Sequence, residues 1–255
     1  MQKGDKRGQV AIWVIVALVV ASGILLYFAF TRLPSLMSKE MFEPQQFIEK
    51  CTTQTVNEAA DKMLPQGGFL EPTNFKVYKD TKIAYLCLHS GYFKPCVNQH
   101  PMFINDMKNE IKTYIQPKIE ACFESMKKEI TNRQGTIELG DLSIDVSAAP
   151  NTIFVDIKRK TTITEGGSTQ TFEGFNVKVM NPLYDLGNIA ITAADNEAKY
   201  CYFEYLGYML LYPRWDIREF RMSDFTKIYT IKDKNSGKLI NIATRSCAMP
   251  PGMGI

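Results

Sequence analysis

The chain has 255 residues, enough for one large domain or two small ones with a real core. Its 30 basic and 27 acidic residues leave a formal charge of +3, too weak a field to gather a polyanion, so a nucleic-acid partner is excluded. The six cysteines all lie beyond residue 50, and an even number of them is the usage of an oxidising compartment.

In chain order, the first feature is an uncharged apolar run over residues 10–30, interrupted only by Ser22 and Gly23. A hydrocarbon core about 30 Å thick needs about 20 helical residues, so this run predicts a transmembrane helix. Lys3, Lys6 and Arg7 precede it more densely than Arg32 and Lys39 follow it, which places the N-terminus on the cytoplasmic side. The organisation expected is a cytoplasmic basic tail over 1–8, a transmembrane helix over 9–30, a linker over 31–44 and an extracytoplasmic domain over 45–255. A signal anchor, a single-pass location in the cell membrane and the lipid bilayer as a partner follow from that reading.

Beyond the linker, Phe47, Cys51, Thr55, Ala59 and Met63 recur every fourth position, which is one face of a helix ended by Pro65-Gln66-Gly67-Gly68. Residues 75–79 and 82–88 read as a hairpin. Cys87, His89, Cys96 and His100 then share a short segment that contains both histidines of the chain. Two chemistries fit it, a Cys87–Cys96 disulfide and a zinc site, though C-x-H-x6-C-x3-H is not a usual zinc spacing. The disulfide is preferred, and no cofactor is expected.

The clearest helical period follows: Ile104, Met107, Ile111, Ile115, Ile119, Cys122, Met126 and Ile130 step by three or four, with Pro117 expected to kink or restart the helix. Cys51 and Cys122 both fall on apolar stripes, so a bridge between two packed helices is the preferred long-range pairing. Six cysteines formally allow fifteen connectivities. From residue 136 the period becomes two: Leu142, Ile144 and Val146, then Ile153, Val155 and Ile157, alternate with polar neighbours as in half-buried strands. Glu165-Gly166-Gly167-Ser168 supplies a turn to a return strand through Phe172 and Val179, with a bulge expected at Gly174.

Asn181 and Pro182 make a helix start, and that helix is expected to reach Tyr212 before Pro213. Tyr202, Tyr205, Tyr208 and Tyr212, with Trp215 just beyond, encircle it. They read either as a central helix packed on several sides or as an interaction surface for a subunit, glycan or peptide. A last hairpin turns at Lys232-Asp233-Lys234-Asn235-Ser236-Gly237, and Cys247 beyond it is expected to pair with Cys201. The fold class read from this order is α+β: an N-terminal transmembrane helix, then a domain with a mostly antiparallel sheet and three main helices.

Lys6-Arg7-Gly8-Gln9, immediately before the apolar run, resembles the class III signal peptides of archaeal pilins and archaellins, with Trp13 standing where that family often has Glu. The resemblance implies cleavage between Gly8 and Gln9. Phe47-Ile48-Glu49-Lys50-Cys51, Gln66-Gly67-Gly68-Phe69, Tyr85-Leu86-Cys87, Lys94-Pro95-Cys96-Val97-Asn98, Ile119-Glu120-Ala121-Cys122-Phe123, Ala243-Thr244-Arg245-Ser246-Cys247 and Pro250-Pro251-Gly252 look like a group of membrane-anchored archaeal surface proteins. That group carries no known activity, so the resemblance bears on topology alone.

Catalytic signatures are missing. There is no GxSxG elbow, HExxH, GxxxxGK[ST] or GxGxxG. Asp141, Asp145, Asp156 and Glu173 offer carboxylates of the kind that pair for glycoside cleavage, but carboxylates on the wet face of a sheet are ordinary and that reading is preferred. The function expected is therefore non-enzymatic: a pilin-like, membrane-anchored surface protein with a structural, assembly or adhesion role, self-associating or meeting other surface proteins. The alternatives are a membrane-tethered enzyme or metal protein using residues 87–100, or a glycan- or peptide-binding domain.

Overall fold

A computed structural model describes residues 6–37, 42–91 and 93–247. The chain divides into two compact units, Met1–Glu43 and Pro44–Ile255.

The first unit contains helix α1 (Lys6–Met37), which continues through the first part of the expected linker. Its described side chains, residues 13–28, are all exposed, Trp13 at 73% and Leu25 at 72%. Among the described residues no helix is long and apolar enough to cross a membrane. This finding overturns the transmembrane helix over 9–30. With it go the signal anchor, the lipid bilayer as partner, and the single-pass location with a cytoplasmic tail and an extracytoplasmic domain. Residues 1–5 of the basic tail and 38–41 of the linker lie outside the described residues.

The second unit is mixed α+β, so the fold class is corrected: among the described residues there are five α-helices and two open sheets, and no helix long and apolar enough to cross a membrane. Helix α2 (Pro44–Met63) buries Ile48, Thr52, Val56, Ala59 and Met63, and a short 3-10 turn, Leu64–Gln66, ends it at Gly67 with φ 82°. Strands β1 (Phe75–Tyr78) and β2 (Thr81–Leu88) form a hairpin, and β3 (Val97–Asn98) extends the same edge of β2. Helix α3 (Phe103–Asn132) runs unbroken through Pro117. The proline sits on the exposed face, so water can satisfy the carbonyl that loses its donor there.

Strands β4 (Thr136–Leu139), β5 (Ser143–Ala149), β6 (Thr152–Glu165) and β7 (Ser168–Met180) make one antiparallel sheet built on β6. The bulge lies on β6 between Lys158 and Thr161, opposite the expected position at Gly174. Gly174 is required there for a different reason, since a Cβ would stand 2.6 Å from the Ile157 carbonyl oxygen. Gly166 and Gly167, at φ 61° and 83°, close the hairpin with the positive φ pair that a tight two-residue turn needs. Helices α2 and α3 pack together and cover this sheet, and Phe123 of α3 meets Phe175 of β7 edge-on with ring centroids 5.7 Å apart.

Helix α4 (Leu183–Tyr200) starts one residue later than Asn181-Pro182 suggests, with the Asn181 carboxamide oxygen accepting from the Leu183 N–H at 3.1 Å. Helix α5 (Tyr205–Leu211) follows, then β8 (Trp215–Arg221), β9 (Thr226–Asp233) and β10 (Leu239–Arg245). The second sheet has the order β1-β2-β10-β9-β8, with β10 parallel to β2 and every other pairing antiparallel. Strands β9 and β10 are buried on both faces, which is why they read as near-continuous apolar runs. One face carries α4; the other buries Ile83, Tyr85, Ile228 and Ala243.

Arg214 ties the sheets together. Its guanidinium donates to Asp233 at 2.9 and 3.0 Å, to the Asn151 carboxamide oxygen at 2.6 Å in the β5–β6 turn, and stacks 4.4 Å over Trp215. Asp233 also accepts from Ser236 Oγ and the Asn235 N–H, and the Arg214 hydrogen bonds hold its pKa down at about 2.

Candidate interaction surface

The expected single helix from Asn181 to Tyr212 is two helices, and the break decides what the segment presents. Cys201 adopts the left-handed conformation at φ 56° and ends α4, its N–H still donating to the Glu197 carbonyl at 3.0 Å. The geometry is held from three sides. Cys201 is bonded to Cys247, the Lys227 ammonium donates to the Cys201 carbonyl at 2.7 Å, and the residue is fully buried. A left-handed residue cannot continue a helix, so the chain turns through Tyr202 and Phe203 and restarts at Glu204. The Glu204 carboxylate caps the new helix by accepting from the Gly207 N–H at 3.1 Å. It also accepts from the Tyr202 hydroxyl at 2.7 Å, and that bond to a carboxylate raises the Tyr202 pKa to about 12.

The tyrosines then face inward or along the surface. Phe203 and Tyr205 meet the buried Tyr229 edge-on, with ring centroids 5.8 and 6.4 Å apart. Tyr208 lies between Phe203 and Tyr212, at 5.7 and 4.8 Å. Tyr202, Tyr205 and Tyr208 are half-buried, Tyr212 is 52% exposed, and Trp215 is buried at 7% exposure on β8. Met209 faces β8, its sulfur accepting from the Ile217 N–H at 3.1 Å.

With one side of α5 occupied in this way, the leucines are left outside. Leu206 is 55% exposed, Leu210 85% and Leu211 76%, and α5 has no buried residue at all. Sequence reasoning missed these three. Their i, i+4, i+5 spacing was visible, but it reads as a core-facing stripe when the helix is taken as one continuous central element. Charged heads of both signs reach water on the adjoining chain, among them the capping Glu204. Lys199 and Lys234 are exposed, with Lys234 donating to the Pro213 carbonyl at 2.7 Å, and Arg218 and Arg221 on β8 are 77% and 50% exposed. Both arginines are ion-paired on their own strand, Arg218 with Asp216 and Arg221 with Glu219, each at 3.0 Å.

Behind α5 lies a sealed polar cluster. The Glu197 carboxylate accepts from the Lys227 ammonium at 2.7 and 2.9 Å and from the Tyr229 hydroxyl at 2.5 Å. Burial, then the Glu197 charge, pushes the Tyr229 pKa up, so the hydroxyl remains a donor. Ser246 Oγ donates to the Glu197 carbonyl at 2.8 Å and accepts from the Cys96 N–H at 3.2 Å. Glu197, Lys227 and Tyr229 are at most 3% exposed, and every group in the cluster has its partners inside the protein. It is an internal brace.

The structure pairs the cysteines as Cys51–Cys122, Cys87–Cys96 and Cys201–Cys247. The first closes a separation of 71 residues between α2 and α3, which the chain-entropy model values at about 4 kcal/mol. The zinc alternative on residues 87–100 is overturned, because Cys87 and Cys96 are bonded to each other and the histidines have other partners. His89 Nδ1 accepts from the Gly91 N–H at 2.7 Å; His100 sits 3.1 Å from Asp106 and 4.5 Å from the Phe69 ring. Among the described residues no group of three His, Cys, Asp or Glu side chains could hold a metal ion.

No protein-family model matches the chain, and no curated protein or solved structure is similar to it. The resemblance to archaeal pilins and membrane-anchored archaeal surface proteins is overturned by those comparisons, as its short motif finds no counterpart. Gly8 and Gln9 fall in the first turns of α1, where side chains lie outside the described residues, as does the closing Pro250-Pro251-Gly252. With the anchor and the family gone, the pilin-like, membrane-anchored reading of the function is corrected as well.

Proposed function

We propose that the Pro44–Ile255 unit is a non-catalytic protein-binding module that docks an acidic-rimmed apolar surface of a partner protein onto α5. One observation carries the reading: a capped, tyrosine-backed helix that buries none of its own residues holds Leu206, Leu210 and Leu211 in water. A monomer gains nothing from that arrangement, because each leucine left exposed forgoes about 1.5–3 kcal/mol of burial. The backing makes the face rigid, so a partner is spared much of the ordering cost that a floppy loop would impose. The exposed cations Lys199 and Lys234 favour carboxylates around the partner's apolar contact, and they would speed encounter at low salt.

The test is a photo-crosslinking amino acid at Leu211, with Glu173 on β7 as the control position, in the cells that make the protein. The expected result is one dominant adduct at Leu211, absent at Glu173, whose crosslinked peptide is apolar and flanked by Asp or Glu. Adducts of equal yield and identity at both positions, an adduct with a second copy of this chain, or none at Leu211, would sink the proposal.

A further inference from the structure

We propose that the cleft between α3 and β5 binds the phosphate group of a small phosphate monoester. The cleft has a volume of about 340 Å³ and is lined by Asn105, Lys108, Asn109 and Lys112 on α3 and by Asp145 and Val146 on β5. That volume lies within the roughly 300–1,000 Å³ of small-molecule sites and leaves room for more than a lone anion.

The helical spacing explains the lining. Asn105 and Asn109 are four residues apart, as are Lys108 and Lys112, so both pairs stand on one face of α3, beside the stripe Met107, Ile111 and Ile115 that packs inward. Among the described residues, the carboxamides of Asn105 and Asn109 and the ammonium of Lys108 have no hydrogen-bond or ion-pair partner, whereas neighbouring Asp106 and Glu110 are occupied by His100 and by the Leu70 N–H. Two carboxamides and an ammonium offer several donors to one concave spot.

Charge points the same way. Asp145 lies 3.1 Å from Lys158 and 3.8 Å from Lys112, and its pKa is lowered, first by the hydrogen bond from Lys158. Lys158 is also within 3.8 Å of Asp156. With Lys108 and Lys112 against Asp145, the charged residues of the lining leave the cleft cationic. Three terminal oxygens of a phosphate monoester can take Lys108, Lys112 and the two carboxamides, while Val146 offers an apolar wall for the carbon body.

The experiment uses the full chain and glycerol phosphate as probe, with the side-chain amide NMR signals of Asn105 and Asn109 as readout and inorganic phosphate as the comparison ligand. Expected are saturable shifts of both signals, tighter for glycerol phosphate than for inorganic phosphate. Lys108→Ala should weaken binding by about tenfold or more, since a charge-assisted hydrogen bond is lost. Asp145→Asn should tighten it, because Lys112 is released toward the ligand. Both positions are exposed or half-exposed, so the variants fold, and the remaining amide spectrum checks this directly. Absent or unsaturable shifts, unchanged affinity in Lys108→Ala, weaker binding in Asp145→Asn, or equal affinity for inorganic phosphate would each overturn the proposal.

Discussion

Two groups of chemistry-bearing side chains in this domain differ in one respect that decides their roles. Glu197, Lys227, Tyr229 and Ser246 are sealed, and each has its hydrogen bonds inside the protein. Asn105, Lys108 and Asn109 line an open cleft, and among the described residues their polar heads have no partner. A list of residue types would rank the first group higher, since a Lys, a Glu and a Tyr within 3 Å resemble catalytic machinery. Access and satisfaction reverse that ranking. Buried groups that satisfy one another are structure, and exposed groups that satisfy nobody are available.

The largest effect that sharpens this contrast is expected at Lys227. Lys227→Ala leaves the Glu197 carboxylate buried without its cation, and removing one partner of a buried pair costs about 3–5 kcal/mol. Urea unfolding should show that loss, and a variant within 1 kcal/mol of the parent would mean that water reaches the site and that it is open after all. A smaller effect is expected from acid at Asp233. Its pKa is lowered from 3.8 to about 2 in the folded protein, so its contribution is present above pH 4 and is lost as pH falls toward 2. The shift corresponds to about 2 kcal/mol, and Asp233→Asn should flatten the stability profile between pH 4 and 2. The smallest effect is expected at the cleft, where Lys108→Ala should leave unfolding stability within about 0.5 kcal/mol of the parent. A larger loss there would make Lys108 a structural cation and erase the distinction.

Local physics carried much of the secondary structure in the sequence. The α3 stripe from Met107 to Ile130 and the alternation in β5 and β6 follow from periods of about 3.6 and 2, which need no knowledge of neighbours. The Gly166-Gly167 turn is of the same kind, because its positive φ pair is a property of two residues. Apolar length at residues 10–30 was equally visible but misled, since among the described residues no helix is long and apolar enough to cross a membrane.

What only the tertiary structure decided lies where distant segments meet. The left-handed turn at Cys201 depends on Cys247, 46 residues away, and on Lys227, so periodicity could not foresee that α4 would stop there or that the α5 leucines would face water. Strand β8, the parallel register of β2 with β10 and the Arg214 tie between Asp233 and Asn151 are likewise contacts between parts of the chain that carry no local mark. The cleft needs β5 to present Asp145 to α3, and nothing along either element records that approach. The amino-acid sequence by itself determined which faces are apolar and where the chain can turn, because those depend on neighbours within a few residues. Which polar groups are sealed and which stay available was settled by packing, because satisfaction is a property of pairs.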